Sequence, residues 1–205
     1  GVKFIRCKAY FNTANYSGTT ANSNSFEVDD FSRNVTILDC EGYFSYCGIE
    51  IKGHDDAAAA RDVRVNGFRA KWTNNGIVAR HDGFGNTSGG EQQSESAFNV
   101  ILSNIVVESP LEWLSGGSTK ASLRMYAYDG FIVNNFKVIQ GAAPADYYGT
   151  GTGTVGVMSF LFSGRNVQMN NIRIDGFNAS NGISIASTSS GRYIIDNLIL
   201  TNGPL

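Results

Sequence analysis

The chain has 205 residues, a formal net charge of −2, 17% charged and 12% aromatic residues, and 24 Gly against 3 Pro. Its basic residues are scattered, which argues against nucleic acid or an anionic membrane as partner and for a neutral or weakly charged one. No apolar stretch approaches the roughly 20 residues of a membrane span, and the N-terminus lacks the basic-then-apolar pattern of a signal peptide.

Two strand patterns alternate along the chain. VKFIRCKA (2–9) comes first and SFEVDD (25–30) second, followed by VTILDCEG (35–42) and GIEIKG (48–53). The AAAA run at 57–60 reads as one helical turn capped by Asp55 or Asp56. Next come VRVNGFRA (63–70), GIVARH (76–81), VILSNIVV (100–107), SLRMYA (122–127) and FIVNNFKV (131–138). GVMSFL (156–161), VQMNNIRI (167–174), GISIAS (182–187) and YIIDNLIL (193–200) complete the series. The first pattern therefore recurs seven times, its starts 33, 28, 37, 31, 36 and 26 residues apart. Places one, three, six and eight are mostly apolar, as in strands with one buried face. Place five breaks the alternation with Arg6, Asp39, Gly67, Asn104, Asn135, Asn171 and Asn197. Six of these are the residue types that best tolerate a left-handed backbone, so the spacing predicts a bend between two short strands, with the Asn amides hydrogen-bonded from one repeat to the next. Constant strand blocks joined by connections of changing length are what a solenoid needs. The expected fold is an all-β, right-handed parallel β-helix of about seven coils and three short strands per coil, forming one domain over residues 1–205. Its core should hold Val35, Ile37, Val63, Val65, Val100, Leu102, Val167, Met169, Ile183 and Ile185.

Cys7 and Cys40 take the same inward place on adjacent coils, within disulfide reach, and read as stacked free thiols packing as small hydrophobes. His54 and His81 leave the second pattern on successive coils, each followed by Asp, and read as exposed loop residues rather than a shared metal or acid-base site. Neither a metal nor a cofactor is expected. The GTGTG run at 149–153 lacks the helix start of a phosphate loop and reads as a loop.

The strand, Asn bend, strand, variable loop, strand arrangement resembles the pectin-lyase-like right-handed β-helix superfamily, which includes pectate lyases, polygalacturonases and the trimeric tailspikes of bacteriophages. The resemblance runs from Val2 to Leu200, and the irregular loops are most similar to those of tailspikes and depolymerases. It implies an extracellular or virion protein, a polysaccharide partner such as a bacterial surface glycan, and a homotrimer within a longer chain. Polygalacturonase motifs do not carry over: only GHD (53–55) and RID (173–175) stand near the expected Gly-His-Gly and Arg-Ile-Lys.

The resemblance also implies that substrate lies on the outer face of the sheet built from the second pattern. Outward places there align as Glu27, Glu50, Val78, Arg124, Met158 and Ser184, beside Asp29, Lys52, Arg80, Tyr126, Phe160 and Ala186. Glycoside hydrolysis needs two carboxyl groups, one with a raised pKa; Glu27 with Glu50 offers a close pair, and Asp29 or Asp55 a longer diagonal one. A lyase needs a base and a cation for a uronic carboxylate, for which Lys52, Arg80 and Arg124 are candidates. Alternatively, Glu and Lys on adjacent strands pair only to keep the sheet soluble. Candidate sugar contacts are Trp72, Trp113, Arg124, Tyr126, His54 and His81, although the aromatic rings serve equally well as corner packing. Three readings stay open: a polysaccharide depolymerase, a non-catalytic glycan-binding spike, and a structural shaft. Strand patterns at both ends of the chain lead to the expectation that further coils flank it.

Overall fold

The computed structural model describes residues 1–11, 23–53, 59–81, 99–109, 121–126, 129–139, 141, 144, 160–162, 165–177, 183–185 and 192–202. In chain order the strands are β1 (Lys3–Ile5), β2 (Lys8–Tyr10), β3 (Asn24–Val28), β4 (Arg33–Tyr43), β5 (Cys47–Gly53), β6 (Arg61–Lys71) and β7 (Asn75–His81). They continue as β8 (Val100–Glu108), β9 (Leu123–Tyr126), β10 (Asp129–Ile139), β11 (Phe160–Phe162), β12 (Arg165–Phe177), β13 (Ile183–Ile185) and β14 (Tyr193–Asn202). The fold is all-β, with no helix among the described residues. Ala59 and Ala60, expected in a helical turn, are buried outside any regular element; Ala57 and Ala58 lie outside the described residues.

Two parallel sheets account for every strand among the described residues. The first is ordered β1-β4-β6-β8-β10-β12-β14, with β2 also on β4, and the second β13-β11-β9-β7-β5-β3. From β3 onward the chain alternates between them, advancing one strand in a sheet at each return. In the first sheet Val35, Val63, Val100, Phe131, Val167 and Tyr193 pair in succession, as the sequence repeats align. The second sheet departs once from that alignment. Phe160, not Val157, pairs with Leu123, and Leu161 with Arg124. The connection after β10 thus takes up three more residues than expected.

The two sheets enclose one core. Phe26 of the second sheet meets Phe4 and Phe68 of the first edge-on, with ring centroids 5.8 and 5.7 Å apart. Phe68, Phe131, Phe136, Ile37, Ile49, Leu102 and Ile105 are fully buried, each stabilising the fold by about 1.5–3 kcal/mol. Val35, Ile37, Val63, Val65, Val100, Leu102, Val167 and Met169 are all inside as expected; the side chains of Ile183 and Ile185 lie outside the described residues. Cys7, Cys40 and Cys47 are free thiols.

All seven place-five residues have left-handed backbones, from Asp39 at φ 51° to Gly67 at 70°. Their amides form a directional ladder. Asn104 donates to Asn66, Asn135 to Asn104, Asn171 to Asn135 and Asn197 to Asn171, at 2.6–3.1 Å. The bend does not end the strand, however. β4, β6, β8, β10, β12 and β14 run continuously through it, and only the first copy divides, at Arg6, into β1 and β2. The expected three short strands per repeat are therefore one long bent strand and one straight strand, because the neighbouring strands resume pairing immediately beyond each left-handed residue.

Two further rows of left-handed residues flank the first sheet. Asn34, Asp62, Asn99, Gly130 and Asn166 precede or open its strands, and Phe11, Phe44, Trp72 and Ser109 follow them. Bulky residues in this conformation cost roughly 1–2 kcal/mol each. Stacking offsets that cost: Phe11 lies on Phe44 at 4.5 Å, and Phe44 on Trp72 at 4.7 Å.

Candidate functional site

The charged residues expected on the outer face of the second sheet do converge. In register, Glu27 of β3 lies beside Glu50 of β5, Glu50 beside Val78 of β7, and Val78 beside Arg124 of β9. Lys52 lies beside Arg80 in the neighbouring row. Alternation along each strand turns all of them away from the core.

Contacts between these side chains form a closed network. The Lys52 ammonium lies 2.8 Å from Glu27 Oε1, 3.5 Å from Asp29 Oδ2 and 3.8 Å from Glu50 Oε2. Arg80 Nε donates to Glu50 Oε1 at 2.7 Å. Asn24, outside the set of expected site residues, donates through Nδ2 to Glu27 Oε2 at 2.9 Å and to Glu50 Oε2 at 2.6 Å. One amide nitrogen reaching both carboxylates keeps them within the roughly 5–5.5 Å typical of retaining glycosidases.

Electrostatics, however, disfavour Glu27 as a proton donor. Burial pushes its carboxyl up, but hydrogen bonds from Lys52 and Asn24 and the Lys52 charge outweigh burial and hold it below the ordinary carboxylate range. For Lys52, burial pulls downward, yet its hydrogen bond to Glu27 and the charges of Glu50, Glu27 and Asp29 keep the ammonium above the ordinary lysine range. Glu50 and Lys52 are only 4% exposed. The pairing of Glu and Lys across adjacent strands is present as one reading of the sequence has it, but it holds both residues out of solvent.

Beside the network, Tyr46, Cys47, Glu50, Asn75, Val78, Arg80 and Arg124 line an open pocket of about 200 Å³. That is smaller than the ~300 Å³ at which drug-sized ligand sites begin. Burial raises the Tyr46 phenol and raises the Cys47 thiol well above its ordinary range, so both are neutral near pH 7.

Other expected contacts are placed differently. Trp72 occupies the corner after β6, its ring against Phe44 and 4.4 Å from the Lys71 ammonium. This is the corner-packing use of an aromatic ring. His81 closes β7 and pairs with Gly53, and Tyr126 closes β9 and pairs with Arg80; their side chains lie outside the described residues, as do His54, Asp55, Trp113, Met158 and Ala186. Sequence reading missed Asn24 and Asn75 as parts of the site. Strict alternation turns Asn24, three residues before Glu27, to the opposite face of the strand, so no sequence signal marked it.

The chain is a repetitive all-β protein of two parallel sheets with a charged outer row. The chain is 34% identical over 188 residues to the preneck appendage protein of Bacillus phage PZA and, equally, to the pre-neck appendage protein of Bacillus phage phi29. Each match covers 89% of this chain and 21% of the relative, so the chain spans about a fifth of the length of these relatives. A crystal structure of pre-mature bacteriophage phi29 gene product 12 superposes with a TM-score of 0.74 at 25% identity, over 98% of this chain and 25% of that one. No protein-family model matches the chain. The chain is homologous to a segment of these phage pre-neck appendage proteins, and the virion localisation expected from the sequence agrees with them.

Proposed function

We propose that the chain is a right-handed parallel β-helical section of a trimeric virion appendage, with the outer face of its second sheet turned to a bacterial surface polysaccharide. The similarity to pre-neck appendage proteins over 89% of the chain carries the appendage part of this reading. Alternation of the chain between two sheets, one strand further at each return, is the pattern of a β-helix.

Recognition is the better reading of the charged face. The pocket beside Arg124 mixes apolar floor (Val78 and Cys47) with amide, phenol and guanidinium groups, which suits the faces and hydroxyls of a sugar. Glu27 is disfavoured as the general acid of a cleavage reaction, because that role needs a carboxyl with a raised pKa and Glu27 has a lowered one. Arg124 lines the pocket together with Arg80 and Glu50 and supplies a guanidinium to its wall.

The test is incubation with isolated Bacillus cell walls and purified wall polysaccharides, following co-sedimentation, reducing ends and absorbance near 235 nm together. Wall binding that weakens on Arg124→Ala, with any polysaccharide cleavage unaffected by Glu27→Gln, is expected. Absence of binding, or cleavage abolished by Glu27→Gln, would overturn the reading.

A further inference from the structure

Five of the seven copies of the first pattern fill place six with a large apolar side chain: Phe68, Ile105, Phe136, Ile172 and Leu198. The other two copies are neighbours, and both carry cysteine there, Cys7 and Cys40. These two stand in register, since Ile5 pairs with Leu38 before them and Lys8 with Glu41 after them. Paired strands lie about 4.8 Å apart, inside the roughly 4.4–6.8 Å between Cα atoms that a disulfide bridges. Side-chain direction agrees. The Cys40 sulfur accepts the Cys7 amide at 3.4 Å, and its thiol is 3.6 Å from the Phe4 carbonyl and 3.3 Å from the Leu38 carbonyl. The Cys7 thiol is 3.5 Å from the Ile5 carbonyl, the same contact one repeat earlier. Both side chains thus share one orientation, and the Cys40 sulfur reaches onto the strand that carries Cys7. Burial pushes the Cys40 thiol up, and a hydrogen bond with the Cys7 thiol adds to the shift. Cys47 stands apart on the second sheet, between Asn24 and Asn75 in register.

We propose that Cys7 and Cys40 are an oxidisable pair that closes into a disulfide in the released virion, linking two neighbouring repeats covalently across the first sheet. The cytoplasm in which a phage protein is made keeps thiols reduced, whereas virion surfaces meet oxidising surroundings. The oxidant is a small-molecule disulfide. The thiolate of Cys7, the less buried of the pair, attacks it and releases one small thiol; the Cys40 thiolate then attacks the mixed disulfide and releases the second. Two protein thiols become one S–S bond, one small disulfide becomes two thiols, and the two protons pass to the leaving thiolates. Closing the chain from residue 7 to residue 40 stabilises the fold chiefly by restricting the unfolded state. The inference is independent of what the outer face of the second sheet binds.

The test brings the protein to equilibrium with equal concentrations of reduced and oxidised glutathione, quenches with acid, and follows thiol titration, peptide mass and thermal unfolding. Reading the exchange at equilibrium removes any dependence on how fast the oxidant reaches either sulfur. Titratable thiols are expected to fall from three to one, with the peptides bearing Cys7 and Cys40 joined and lighter by two hydrogens. The melting temperature is expected to rise by about 4–10 °C over the reduced protein. Cys47→Ser keeps both the joined peptides and the rise, and Cys7→Ser loses both. Three titratable thiols at equilibrium would leave the cysteines as small core residues and overturn the proposal. Glutathione held on Cys7 without transfer to Cys40, a bridge to Cys47, or a joined pair that melts no higher than the reduced protein would overturn it equally. Because the reduced and oxidised parent are compared directly, the outcome stands even if a serine variant does not fold.

Discussion

Replacing Lys52 with Met keeps the length of the side chain and removes the cation around which Glu27, Asp29 and Glu50 are arranged. Two carboxylates are then held together by Asn24 alone on their facing sides, while Glu50 keeps its hydrogen bond from Arg80. Removing one partner of a buried ion pair costs about 3–5 kcal/mol. The cost here is smaller, about 2–3 kcal/mol, because Glu27 and Asp29 reach solvent and Glu50 retains a cation. For a chain of this size that is a fall of about 4–12 °C in melting temperature. The pH dependence is a sharper signature. Glu27 titrates below its ordinary value when folded, so its contribution is present above pH 4.5 and is lost as pH falls through the folded value. Lys52 titrates above its ordinary value, so its contribution is present below pH 10.5 and is lost as pH rises through the folded value. The gap between parent and Lys52→Met is therefore widest between those limits and narrows on either side. Urea unfolding followed by circular dichroism at pH 4, 7 and 11 measures it. A gap under about 0.5 kcal/mol at pH 7, or one independent of pH, would show that the network contributes no net stability.

Three further predictions concern the scaffold. Asn135→Ala removes both a left-handed-tolerant residue and the central link of the amide ladder, and should cost about 1–2 kcal/mol in chemical unfolding, with Asn135→Gly costing less. Gly48→Ala would place a Cβ 2.6 Å from the Gly76 carbonyl oxygen and 2.8 Å from Ala70 Cβ; the backbone must shift, and a loss of about 2 kcal/mol or more in the same assay is expected. Native labelling with iodoacetamide at pH 8, read by peptide mass, should modify Cys7 first, because Cys40 and Cys47 are buried and burial raises both thiols.

The register of the first sheet was legible in the sequence because two independent signals coincide there. Period-two apolar residues choose the buried face, and a left-handed-tolerant residue at place five sets the phase, so a slip by one residue would violate both. The Asn104–Asn197 ladder followed from the same alignment. In the second sheet only the period was available. The segment from Val155 to Phe162 has apolar residues on both parities, and the copy at β11 was accordingly read three residues out of place. The composition of the charged face could also be read, since alternation alone puts Glu27, Glu50, Lys52 and Arg80 on one side. Their pairing across adjacent strands was one of the readings, but their burial was not. Whether an outward Glu stays solvated or loses its water to a lysine and an amide depends on which strands lie alongside and how closely, and Asn24 enters only through its reach to Glu50, 26 residues away. The left-handed backbones at Phe31, Phe44 and Trp72 were equally invisible, since intrinsic preference argues against them. Tertiary structure decides those positions: stacking between successive repeats stabilises Phe44 and Trp72 where local sterics disfavour them.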